Sequence, residues 1–183
     1  MGRDKAFLEI RGERIIDREV RILKEVFEEV ILVANEPSRY SYLDVRIAAD
    51  LIPDMGPLGG LHAALMFTRS DYIFVAACDM PLLNPRLIRL MLQRASGCDV
   101  LVPEIDGYFE PLHAIYSRRC LKVIEETLNR GERQIYSFYP RVKIKRMGKE
   151  DIAEVDPHLL SFKNINTEED YEEMSRLIDH ANE

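Results

Sequence analysis

A chain of 183 residues, 46% hydrophobic and 31% charged, has the size and make-up of a single domain spanning 1–183, long enough to bury a substantial core. Its formal net charge of -7 excludes a general nucleic-acid surface, which needs a basic footprint, yet leaves room for a mononucleotide held by a few local cations. No apolar run approaches membrane-spanning length, and Cys78, Cys98 and Cys120 are too widely spaced for a zinc site or a disulfide framework; the expected setting is a reducing cytoplasm without membrane attachment.

Ile15, Ile16, Val20, Leu23, Val26 and Phe27 recur at helical spacing with charges between them, which predicts an amphipathic helix. Val30 to Ala34 follows as a buried strand, and Val45 to Ala48 as a short extended run. A helix is predicted from about Leu58 to Phe67. Next comes an apolar strand, Tyr72 to Cys78, which ends in Asp79 and is stopped by Met80-Pro81. Pro85 introduces a helix carrying Leu87, Leu90 and Met91. Val100-Leu101-Val102 and His113 to Tyr116 read as strands, Leu121 to Leu128 as a helix, and Val142 to Arg146 as a late alternating strand. Thr167 and Asp170 have capping-box spacing and open a last helix with Tyr171, Met174, Leu177 and Ile178 on one face. Such alternation predicts a three-layer α/β sheet, mostly parallel.

Three places carry candidate chemistry. Asp79 stands just past the carboxyl end of a strand, where open α/β sheets bind ligands, and a carboxylate there suits a metal ion and its phosphates. On spacing alone it serves equally as a turn or helix-capping residue. Met1-Gly2-Arg3-Asp4-Lys5 sets two cations beside a glycine, a composition suited to phosphate oxygens, although spacing alone favours a solvated terminus. Asp54 to Leu61 is a glycine-bearing loop leading into a helix, which either admits a ligand to the positive helix end or simply packs tightly. The chain has no GxxxxGK[ST] and no GxGxxG.

In combination these pieces are more specific. MGRDKAFLEIRG, ILVAN, AAD, GPLGGLHAAL, VAACDMP, GYFEPLHAIY, GER and KNINTEED occur in the order, and at about the intervals, of the molybdenum cofactor guanylyltransferase family, which the chain resembles over nearly its whole length. The resemblance implies a Rossmann-like nucleotidyltransferase fold. It also implies transfer of GMP from GTP to molybdopterin-bound molybdenum cofactor, with Mg²⁺ as cofactor and pyrophosphate released. Transient contacts with cofactor-biosynthesis or acceptor proteins are implied as well.

Residue by residue, Lys5 matches the lysine of the family's signature loop, with Arg3 as its helper, and Asp79 the magnesium-binding aspartate. Asn35 and Asp50 match positions that contact the guanosine part. Gly56, Gly60, Arg133, Asn164 and Asn166 fall on pterin-associated positions, and His113 lies in a segment placed beside the acceptor. Helix capping accounts equally for the asparagines, and a core position for the histidine. The family's opening motif has the form LAGGxSxRMGxDK, and Met1 coincides with the methionine inside it, so the LAGGxSxR strand and turn have no counterpart and a sheet lacking its first strand is expected. The alternatives are a cytidylyl- or sugar-phosphate nucleotidyltransferase, or a shortened, non-catalytic module that binds the cofactor.

Overall fold

A computed structural model describes residues 5–52 and 54–180. The first strands form a hairpin of β1 (Glu9–Ile10) and β2 (Glu13–Arg14) that turns through Arg11 and Gly12, whose φ values are 54° and 76°. Two positive φ angles in a two-residue turn match the twist of the flanking strands. Helix α1 (Ile15–Lys24) follows at once. Strands β3 (Ile31–Val33) and β4 (Arg46–Ala48) form a parallel pair, and helix α2 (Gly56–Phe67) packs against both.

The larger sheet begins with β5 (Tyr72–Ala76), followed by α3 (Pro85–Arg94), β6 (Val100–Ile105), β7 (Tyr108–Phe109), β8 (His113–Ser117), α4 (Leu121–Leu128), β9 (Ile144–Gly148) and the short α5 (Lys149–Ala153). Strand β8 runs antiparallel between β5 and β6, so those two are parallel to one another; β9 lies parallel along β6 from Val100↔Ile144 to Glu104↔Gly148. The parallel expectation holds for β3 with β4 and for β5, β6 and β9, with β8 inserted against them. Asp106 and Gly107, at φ 53° and 85°, turn β6 into β7. Helix α6 (Glu168–His180) closes the fold.

Period-two alternation sorts the core into layers. Val100, Val102, Ala114 and Tyr116 face α2 and α4, where they meet Leu58, Leu61, Leu65, Ile124 and Leu128. Leu101 and Ile115 face the other way, toward Leu87 and Met91 of α3 and Ile152 of α5. Helix α1 joins three further clusters. Ile16 and Val20 pack toward β3 and β4, Ile15 toward Met174 and Ile178 of α6, and Ile22 toward Met80 and Leu83. Among the described residues β3 and β5 are not paired with each other, so β5 has a strand partner on one edge only.

Candidate active site

Asp79 lies just beyond the end of β5. Its carboxylate is 3.5 Å from the Lys5 Nζ, with the two side chains 20% and 33% exposed. Lys5 begins a short 3₁₀ turn, Lys5–Phe7, that is pinned by the fully buried Ala6, and its ammonium donates a 2.6 Å hydrogen bond to Asn166 Oδ1. Asn166 is held in turn: its N–H and that of Thr167 each donate to Asp170 Oδ2 at 2.8 Å, while Asp170 N–H donates to Thr167 Oγ1 at 3.1 Å. The capping box expected at α6 therefore also places a site residue. Those two N–H donors hold the Asp170 carboxyl below the usual carboxylate range. Ile165 N–H donates to the Asp79 carbonyl at 3.1 Å, tying the strand end to the approach of α6. Beside it, Asn164 Oδ1 is buried and accepts no hydrogen bond among the described residues. Arg3 lies outside the described residues.

A second group forms where β4 gives way to α2. Ala34 N–H donates to the Ala48 carbonyl at 2.9 Å, carrying the β3–β4 ladder to the point from which Asn35 and Asp50 depart. Asn35 is exposed. Asp50 Oδ1 is buried without a hydrogen-bond partner among the described residues, and burial raises the Asp50 carboxyl although His62 pulls it the other way. Gly56 has φ +59°, a conformation that excludes most side chains, and the Leu58 N–H of the same turn donates to the Arg133 carbonyl at 3.2 Å. That bond fastens the Arg133 segment to the start of α2. A Cβ on Gly60 would meet nothing within 4 Å, so internal packing does not require a glycine there. Gly59 is different: its Cβ would fall 3.0 Å from Met55 Cβ and 3.5 Å from Asp50 Oδ1.

His113 lies in the core. It is fully buried on β8, with its ring between Phe74 at 5.0 Å and Phe162 at 4.6 Å, and both ring nitrogens lack partners among the described residues. Burial lowers its pKa to about 3, so it is neutral. Aromatic packing on both sides places it in the core and not on an open rim beside an acceptor.

Glu19 of α1 was not expected from sequence at all. It is 3% exposed, and its Oε1 accepts a 2.7 Å hydrogen bond from Met80 N–H, next to Asp79. Burial pushes its carboxyl well above the usual range, with the Asp79 charge adding to the effect and the Met80 N–H opposing it. The available signal was a charged residue on the apolar stripe of an amphipathic helix.

Lys5, Asp79 and Asn166 thus gather just past the end of β5, where open α/β folds bind their ligands. The chain belongs to the MobA-like NTP transferase domain family, which it matches over residues 1–144. It is 38% identical over 93% of its length to a probable molybdenum cofactor guanylyltransferase of Pelotomaculum thermopropionicum, covering 83% of that protein. The molybdenum cofactor guanylyltransferase of Desulfosudis oleivorans is also 38% identical, over 97% of this chain and 88% of its own. Among solved structures, molybdopterin-guanine dinucleotide biosynthesis protein A from Archaeoglobus fulgidus superposes with a TM-score of 0.86 at 26% identity, covering 98% of this chain and 92% of its own.

Proposed function

We propose that this enzyme transfers the GMP part of GTP to the terminal phosphate of molybdopterin-bound molybdenum cofactor, forming the guanine dinucleotide cofactor and pyrophosphate. The observation that carries this reading is the Lys5, Asp79 and Asn166 cluster, a cation and a carboxylate 3.5 Å apart at the end of β5. Two relatives at 38% identity bear the guanylyltransferase name, which supports the same choice of nucleotide and acceptor.

The chemistry asks little of the protein beyond charge and alignment. The acceptor phosphate has a second pKa near ~6 and is largely ionised at neutral pH, so no general base is needed. One of its oxygens attacks the α-phosphorus of GTP. A new P–O bond forms, the α-phosphorus bond to the bridging oxygen breaks, and the electron pair leaves on pyrophosphate. Lys5 supplies positive charge where two polyanions must meet, and alignment brings the reacting atoms into line. Asn35 and Asp50 serve the guanosine part; guanine offers a ring N–H beside an amino group, donors that Asp50 Oδ1 lacks among the described residues. Gly60, Arg133, Asn164 and Asn166 serve the pterin acceptor, with Gly56 shaping the turn.

The residues fit a hard divalent ion. No group of three His, Cys, Asp or Glu gathers among the described residues, and one carboxylate completed by substrate phosphates is how Mg²⁺ is commonly bound. Asp79 would hold it, and the ion when bound supplies further charge neutralisation at the phosphates. The cytoplasm is the proposed compartment. It suits three cysteines that form no disulfide among the described residues, and no described helix is long and apolar enough to cross a membrane.

Pyrophosphate release tests the reading. The purified chain is supplied with molybdopterin-bound cofactor, MgCl₂ and GTP, CTP or ATP in turn. GTP is expected to be preferred, and Asp50→Asn to erode that preference by ~10-fold, the value of one charge-assisted hydrogen bond exchanged for a neutral one. Preference for CTP would move the chain to the cytidylyl relatives. Turnover of a sugar phosphate in place of the pterin would move it to the sugar nucleotidyltransferases, and cofactor binding without turnover would make it a carrier.

A further inference from the structure

The turn that carries Asp79 is held from behind by two consecutive residues of α1. Glu19 Oε1 accepts from Met80 N–H at 2.7 Å, and Arg18 Nε donates to the Pro81 carbonyl at 2.8 Å. Arg18 is itself steadied, since its Nη1 donates to Glu13 Oε2 at 3.4 Å and the same carboxylate takes Arg21 Nε at 3.0 Å. On the far side Ile165 N–H donates to the Asp79 carbonyl at 3.1 Å. The main chain of Asp79, Met80 and Pro81 is thus fixed at successive residues, and only the Asp79 side chain is left to face outward at 20% exposure.

For stability alone Glu19 is an expensive choice. Every other buried residue of α1 is aliphatic: Ile15, Ile16, Val20 and Ile22. Burying a carboxyl among such neighbours costs free energy that a single hydrogen bond only partly offsets. What the residue accomplishes is local: it satisfies the N–H of Met80, which is 1% exposed, and so sets the backbone direction immediately after Asp79.

We propose that Glu19 and Arg18 are positioning residues that act through the Met80-Pro81 turn to fix where Asp79 presents its carboxylate. This rests on the assignment of Asp79 as the residue that holds the divalent ion. Partners that orient a ligating carboxylate typically change metal affinity ~10- to 100-fold when removed.

The test is electron paramagnetic resonance of Mn²⁺ titrated into the full chain with GTP present, alongside thermal melting, for Asp79→Ala, Glu19→Gln, Glu19→Leu and Arg18→Met. Glu19→Gln keeps an acceptor oxygen and is expected to bind Mn²⁺ within about twofold of the parent. Glu19→Leu, similar in size but without the acceptor, is expected to bind it at least ~10-fold more weakly while still folded, and Arg18→Met several-fold more weakly. If Asp79→Ala abolishes Mn²⁺ binding and a folded Glu19→Leu binds as the parent does, positioning by Glu19 is overturned and the role of Asp79 stands. Should Glu19→Leu fail to fold, Arg18→Met decides, and an unchanged affinity there overturns the proposal. Unchanged Mn²⁺ binding in Asp79→Ala would overturn the metal assignment itself.

Discussion

Strands β5 and β8 pair residue for residue, from Tyr72↔Ser117 to Ala76↔His113, yet every residue of β8 is buried and every residue of β5 only half-buried. The difference lies in their outer edges. Strand β8 has β6 on its other side, whereas β5 has no second strand partner among the described residues. A strand without a second strand beside it is covered on one edge only and so remains more accessible. The better-enclosed strand supplies packing, and the more open one leads to Asp79. With Asp79 assigned as proposed, stability and chemistry fall to neighbouring strands of one sheet.

The sharpest way to break this contrast is a pair of truncations. Asp79→Ala should lower turnover by at least ~10²-fold, because the residue proposed to hold the charge-neutralising ion is lost, with little change in melting. Ile115→Ala, on the fully buried β8, should cost ~2–5 kcal/mol of stability, read from denaturant unfolding. A destabilised Asp79→Ala that keeps its turnover would reverse the assignment of roles.

His113 offers a pH test of the same enclosed strand. Its pKa is lowered to about 3 from an ordinary 6.5, so the unfolded chain takes up a proton that the native state refuses. The stability it permits is complete above pH 6.5 and falls as pH drops toward 3, by up to ~1.4 kcal/mol per pH unit. Glu19 has the opposite sign: its raised pKa removes stability as pH rises above the ordinary carboxylate value of 4.5 toward its folded one. The difference between the parent and His113→Leu in urea unfolding therefore isolates the histidine. It should narrow the stability loss between pH 6.5 and 5, and parallel curves would show that the histidine is not held neutral.

Amide exchange probes the edges directly. The amides of Ala114, Ile115 and Tyr116 should exchange ~10-fold or more slowly than the average across β5, because opening an enclosed strand approaches global unfolding whereas an edge strand opens locally. Uniform protection would show that the two strands open together. The smallest effect is expected at Gly60. Its Cβ position is open, so Gly60→Ala should gain ~0.5–1 kcal/mol from helix propensity, while a higher KM for the pterin acceptor would mark that space as used.

Much of this was legible in the sequence because it depends on near neighbours. The stripe of α1, the strand stopped by Met80-Pro81, the Pro85 helix start and the Thr167–Asp170 capping box all follow from spacing and turn chemistry. The hairpin at Asp106-Gly107 carried a strong turn signal, while the one at Arg11-Gly12 carried a weaker one; both were absent from the expectation built on apolar periodicity. Only the tertiary structure put β8 antiparallel between β5 and β6, because strand direction depends on which edges meet across long separations in sequence. It also enclosed His113 between two rings, drew Asn166 to Lys5 across 161 positions of sequence, and set Glu19 behind Asp79. Local pattern says which face of an element is apolar; which other element covers that face, and therefore whether a polar residue upon it is buried or open to a ligand, is settled by packing at long range.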